Sequence, residues 1–333
     1  MTRGFWLLVS ALIAAVLIPL LLGGTGLLGR LLDFPLDLLA LMLGMILVCW
    51  NINAIRLRLL LRRLHRTTHL RALGIVMASE FAFCATPGGA GGPLTLMALL
   101  ARRGVRPAQA TAVFAVDQLS DLLFFVFALI GILIYAVFHA LSPHVGWLLG
   151  GSAALLTGVI IVVLGVARYH RTVLRTNGRL LRLLGMEPLK RLHWGRKVLR
   201  FRNALQDSLR MPKTVLVSVF LLSSLHWLLR NSILYMTLIG LGSTIPWAWT
   251  FLVQMLAMTA GQASLLPGGA GSAELASGAL LTPMVGTATA GAAILIWRFV
   301  TYYFYLIAGA PVFIHLAGRP LLKRLIRFRR PQP

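Results

Sequence analysis

The chain has 333 residues, 58% of them hydrophobic and only 12% charged, with a mean hydropathy of +0.84. A soluble globular domain carries roughly 25% charged residues. Here apolar runs of about 20 residues recur, the length that crosses a hydrocarbon core of roughly 30 Å, which argues against a soluble multi-domain protein. The net charge of +24 comes from 32 Lys and Arg against 8 Asp and Glu, and it lies in short blocks between apolar spans. That is the pattern of cytoplasmic membrane loops, so no nucleic-acid partner is expected.

In chain order, the apolar runs predict an all-α polytopic membrane protein with about six full spans: 5–24, 36–55, 108–138, 146–167, 214–240 and 288–316. The first is too long for a signal-peptide core and reads as a retained helix. Basic clusters at Arg56–Arg71, Arg102–Arg106, Arg168–Lys213 and Arg319–Arg330 are assigned to the cytoplasm, where they would attract anionic headgroups. Both termini are expected there too. Cys49 and Cys84 fall in apolar segments outside any metal-spacing motif and read as small buried hydrophobes. No metal or cofactor is expected.

Two apolar segments do not read as ordinary spans. Ala72–Ala101 is interrupted by Thr86-Pro87-Gly88-Gly89-Ala90-Gly91-Gly92-Pro93. Its first arm is only about 21 Å long, and basic clusters flank both ends, so a re-entrant hairpin is predicted. Broken backbone at membrane depth is tolerated only where protein or water covers it. Trp247–Met284 carries Leu266-Pro267-Gly268-Gly269-Ala270-Gly271-Ser272, and its first arm is long enough either to cross or to re-enter. Pro93 is expected at the first position of a new helix, with free backbone N–H groups offering a phosphate site.

The two PGGAG breaks stand 180 residues apart, and the offset maps Asn51 on Asn231 and the helix of Asp117 and Gln118 on that of Trp297 and Arg298. The predicted sidedness inverts one half relative to the other, giving repeat A over 36–138, a linking span and basic loop over 139–213, repeat B over 214–318, and a basic tail over 319–333. Inverted repeats with discontinuous helices characterise many secondary transporters. The intramembrane ionisable residues Glu80, Asp117, Asp121, Arg230, Glu274 and Arg298 are then functional candidates. Asp117 and Asp121 share a helix face, roughly 14–20 Å into their span. Arg298, at comparable depth, is expected either to hold a headgroup or to pair with Asp117 or Asp121. Glu274 reads as a carboxylate at a helix N-terminus, Arg230 as a partner of Asn51, Asn53 or Asn231, and His226 as a packed polar residue.

These motifs resemble those of the flippase-like, lysylphosphatidylglycerol synthase transmembrane-region family, related to the membrane half of the multiple peptide resistance factor. The resemblance covers about 36–318. It rests on each PGG break being followed by a charged helix, Asp117-Gln118-Leu119-Ser120-Asp121 in one half and Trp297-Arg298-Phe299-Val300-Thr301-Tyr302 in the other. Gln118 stands where the family usually has Arg, which weakens any symmetric two-arginine grip. The resemblance implies translocation of a phospholipid or polyprenyl-type lipid across the bacterial inner membrane, without the synthase domain. The substrate-handling set is Glu80, Pro87, Gly88, Gly89, Gly91, Asp117, Gln118, Asp121, Arg230, Pro267, Gly268, Gly269, Glu274, Arg298 and Tyr302. The alternatives are an intramembrane lipid transferase using Asp117 and Asp121, or a non-catalytic partner of a lipid-modifying enzyme. A homo-oligomer is also compatible with the sequence.

Overall fold

The computed structural model describes residues 2–138 and 211–318, apart from residue 265, and the isolated positions 150, 154, 157 and 158. Those four positions apart, the expected span 146–167 lies outside the described residues, as do most of the loop Arg168–Lys213 and the tail from Arg319. The described residues form helices α1 (Thr2–Gly23), α2 (Gly26–Leu32), α3 (Leu36–Leu61), α4 (His69–Ala85), α5 (Gly91–Ala101), α6 (Pro107–Phe138), α7 (Lys213–Gly240), α8 (Trp247–Ala263), α9 (Ser272–Val285), α10 (Thr287–Arg298) and α11 (Phe304–Phe313). Among them, Leu36–Leu61, Pro107–Tyr135, Lys213–Gly240 and Thr287–Ala317 are long and apolar enough to cross a membrane.

Three boundaries differ from the sequence reading. The expected first span does not simply end in a loop, because α1 turns through 110° into α2 at Gly24, whose φ is +59°. The span expected at 36–55 continues to Leu61, so Arg56 is helical and only 2% exposed, donating to Asn53 Oδ1 at 3.0 Å. A basic residue at a span's end was assigned to the loop, yet an arginine that reaches a local acceptor can extend the helix. The span expected at 288–316 is one apolar unit, but two wide π turns, Phe299–Tyr303 and Ile314–Gly318, interrupt its α geometry.

The chain divides into two compact units, Met1–Arg106 with Leu221–Pro333, and Pro107–Phe220. In the second, the Phe127 ring meets Phe220 edge-on at 5.9 Å between centroids. Ser120 and Thr111 return their hydroxyls to carbonyls four residues back, a way of satisfying a hydroxyl inside an apolar helix.

In the first unit, α3 and α7 lie side by side in opposite directions. Thr237 donates to Met42 Sδ at 3.5 Å, Cys49 Sγ approaches the His226 carbonyl at 3.7 Å, and Phe34 and Leu38 crowd Gly240. Trp50 of α3 stacks on Phe304 at 5.4 Å and meets Tyr305 edge-on at 5.1 Å, tying α3 to α11. α11 also packs on α4, and α1 on α10. Glycine permits both contacts: a Cβ on Gly309 would lie 2.7 Å from Phe81 Cβ, and one on Gly291 would lie 2.7 Å from the Pro19 carbonyl oxygen. In a membrane, where lipid is as apolar as leucine, such small-residue contacts are what hold helices together. Both cysteines are buried and free, as expected.

Candidate functional site

The two PGGAG loops have the same local geometry. In each, the second glycine N–H closes a turn on the residue before the proline, Gly89 on Thr86 and Gly269 on Leu266, both at 3.1 Å. Both glycines of each motif take positive φ, +58° and +70° at Gly88 and Gly89, +62° and +67° at Gly268 and Gly269. Side chains with a Cβ rarely adopt this region. The loops also meet: Pro87 and Pro267 sit opposite each other in an isolated antiparallel backbone bridge. The hairpin α4–α5 and the hairpin α8–α9 therefore touch at their tips. The first arm of the second hairpin has 17 residues, the same as the first arm of the first.

Helix starts after the breaks differ from expectation. α5 begins at Gly91, two residues before Pro93, because the Thr86 hydroxyl accepts the Gly91 N–H at 2.8 Å. At the second break, Glu274 Oε2 accepts the Gly271 N–H at 2.6 Å, the half of a capping box that a glycine N-cap permits. The carboxylate thus occupies the N-terminus of α9, while the phosphate site was expected at the helix after the first break.

The partner of Arg298 is Glu274, and the expected pairing with Asp117 or Asp121 is corrected accordingly. Arg298 Nε donates to Glu274 Oε1, and Nη2 donates to the Gly268 carbonyl at 3.2 Å. Tyr302 completes the brace, its hydroxyl donating to the Pro267 carbonyl at 3.4 Å while its ring lies under the Arg298 guanidinium at 4.9 Å. Glu274 is 0% and Arg298 1% exposed. Sequence depth placed Arg298 axially but carried no information about which side of the helix faced which neighbour. The brace belongs to the second tip: 180 residues earlier, Leu94, Gln118 and Leu122 stand in place of Glu274, Arg298 and Tyr302. Pro267 and Gly269 are buried, whereas Pro87 and Gly88 are exposed.

Arg230 is also not where the sequence reading put it. Asn51 Oδ1 accepts from His69 Nε2 at 2.8 Å, Asn53 accepts from Arg56, and the Asn231 carbonyl accepts from Gln254 at 2.6 Å. Arg230 instead donates to the Tyr305 hydroxyl at 2.7 Å, its guanidinium 5.0 Å from the Tyr305 ring and 5.8 Å from the Trp227 ring. Glu80 and Cys84 on α4 lie within electrostatic range of Arg230, and Cys84 also of Arg298. Of the expected set, Glu80, Arg230, Glu274, Arg298, Tyr302 and both tips belong to one compact unit. Asp117, Gln118 and Asp121 lie on α6 in the other, with Gln118 exposed and both aspartates half-buried. Tyr305, Trp50 and Trp227 escaped the sequence reading, since aromatic residues are common in apolar spans and nothing in their spacing marks them.

Fold and site together define a polytopic helical membrane protein with two broken hairpins joined at their tips. The sequence model of the lysylphosphatidylglycerol synthase TM region matches residues 7–309, and the chain belongs to that family. It is also similar to a UPF0104 membrane protein of Archaeoglobus fulgidus, 25% identical over 268 residues, covering 78% of this chain and 81% of the relative.

Two outcomes follow from the tips. Removing one member of a buried ion pair costs about 3–5 kcal/mol. Arg298→Met therefore lowers the thermal midpoint in detergent sharply, and adding Glu274→Gln recovers part of the loss. An Arg298→Met protein as stable as the wild type contradicts the brace. The glycines separate by surroundings: a Cβ on Gly269 would lie 2.5 Å from Gly261 Cα, whereas one on Gly88 meets only the Gln262 carbonyl oxygen at 3.9 Å. Asparagine tolerates positive φ, so Gly88→Asn keeps near-native stability and Gly269→Asn does not. Equal stability of the two variants counts against the tip geometry.

Proposed function

We propose that this protein binds an anionic or phosphate-bearing lipid headgroup where the hairpin tips meet and moves it across the bacterial inner membrane. The observation that carries this reading is the antiparallel bridge between Pro87 and Pro267. These residues occupy equivalent positions of a motif repeated 180 residues apart. A contact between equivalent positions, running antiparallel, is what a two-fold axis relating two inverted halves requires. The antiparallel α3–α7 pair supports the same relation, since the offset maps one helix on the other. Inverted repeats whose discontinuous helices converge are the arrangement in which transporters alternate access around a fixed site. Family membership supports a lipid substrate.

The second tip, cross-linked by Glu274, Arg298 and Tyr302, acts in this reading as the fixed wall. The first, lacking those residue types, supplies the side that moves. Lipid is gathered at the cytoplasmic ends of α3, α4 and α5, where Arg58, Arg62, Arg63, Arg66, Arg71, Arg102 and Arg106 are exposed beside Leu70, itself 78% exposed. Each such cation near an anionic surface is worth roughly 1 kcal/mol. Crowding is high enough that Arg103 is held below its ordinary pKa by partial burial and by Arg71.

Reconstitution tests the reading. Vesicles holding the purified protein should expose fluorescently labelled phosphatidylglycerol from the inner leaflet to an external reductant. The exposure should be faster than in protein-free vesicles and faster than for labelled phosphatidylcholine. Rates equal to protein-free vesicles for phosphatidylglycerol, phosphatidic acid and a polyprenyl phosphate alike contradict it.

A further inference from the structure

Arg298 spends its charge inside the protein, but Arg230 does not. A guanidinium offers several N–H donors in a planar fork and no acceptor. Among the described residues, the one hydrogen-bond acceptor of Arg230 is the Tyr305 hydroxyl, and no carboxylate forms an ion pair with it. The Glu80 carboxylate acts on it electrostatically.

Its neighbours leave further hydrogen-bonding groups open. Tyr305 is 1% exposed and uses its oxygen to accept from Arg230, and its own proton finds no acceptor among the described residues. Trp50, also 1% exposed and edge-on to Tyr305, has an indole N–H without a hydrogen-bond partner. His226, one helical turn before Arg230 and 3% exposed, has an unpartnered Nδ1. Buried polar groups in folded proteins are nearly always satisfied, so a cluster left open calls for a missing partner. Here α3 and α11 bring the open Trp50 and Tyr305 donors to one cation of α7.

We propose that Arg230, Tyr305 and Trp50 form an oxyanion site that takes a phosphate group, separate from the Glu274–Arg298 brace. A ligand there must bring acceptors and negative charge, and the guanidinium fork suits two oxygens of one phosphate. The aromatic rings of Trp227 and Tyr305 hold the guanidinium by cation–π contact, so it stays oriented without a carboxylate. The site deepens the lipid reading and rests on it for the source of the phosphate, since a lipid headgroup and free phosphate offer the same oxygens.

Binding to the full chain in phosphatidylcholine nanodiscs tests this, with short-chain phosphatidic acid and inorganic phosphate as probes. Arg230→Gln should weaken phosphatidic acid binding at least about tenfold, as expected for loss of a charge-assisted pair. Trp50→Phe and Tyr305→Phe keep the ring packing and should each weaken it severalfold at unchanged thermal midpoint. Wild-type affinity in a folded Arg230→Gln protein overturns the site. If that variant does not fold, wild-type affinity in both aromatic variants overturns it equally. Displacement of the lipid by inorganic phosphate identifies a site open to free phosphate, and failure to displace it identifies a headgroup held together with its chains. Binding lost in Arg230→Gln while the wild type translocates no lipid retires the transport reading and keeps the site. Translocation and affinity both unaffected by Arg230→Gln retire the site and keep the transport reading.

Discussion

Backbone that leaves the helix inside a hydrocarbon layer must find cover, because no water is there to take its hydrogen bonds. Each PGG break creates that demand: proline removes a donor, and two glycines at positive φ open the next turn. The protein meets the demand by setting one break against the other at Pro87 and Pro267. Arms of 17 residues bring the tips to a common level, and α3 and α7 run beside them in opposite directions. The contacts of Gly309 with Phe81 and of Gly291 with Pro19 hold the helices close enough for the tips to meet.

The two breaks are alike in backbone and unlike in chemistry. The second is tied by an ion pair in which one carboxylate caps α9 and neutralises Arg298, while the same guanidinium holds the Gly268 carbonyl. Charge at that tip is closed on itself. Arg230 is braced by aromatic rings and a hydroxyl, none of which cancels its charge. Two arginines of the same chain are thus held in different surroundings, one in an ion pair that ties a loop and the other against aromatic rings.

Much of this was legible in the sequence. Apolar run length placed α3, α6, α7 and the α10–α11 unit, since hydrophobic length is what a bilayer selects. The repeated PGGAG located both breaks, and the buried positions of Cys49, Cys84 and His226 followed from their apolar neighbourhoods. What was not legible concerns facing. Depth along a helix can be counted in residues, but the direction of a side chain depends on packing. Arg298 was thus given a headgroup or the aspartates of α6 as its partner rather than Glu274, and Arg230 the asparagines rather than Tyr305. The bend after Gly23, the π turn after Arg298 and the burial of Arg56 escaped for the same reason: each is decided by a neighbour remote in sequence or by one local hydrogen bond. Glu274, three residues past Gly271, was the one signal that pointed the right way, since a carboxylate at that position reads as a cap.

The contact between the tips is the claim on which the rest stands, and a covalent bond tests it most directly. Residues opposite each other in an antiparallel bridge have Cα atoms about 4.5–5.5 Å apart, within the reach of a disulfide. In a chain with Cys49 and Cys84 replaced by alanine, Pro87→Cys with Pro267→Cys should oxidise within one molecule in native membranes. A protease cut between the halves would then leave two fragments joined until reduced. Fragments that separate without reductant, or disulfides found only between molecules, would contradict the account.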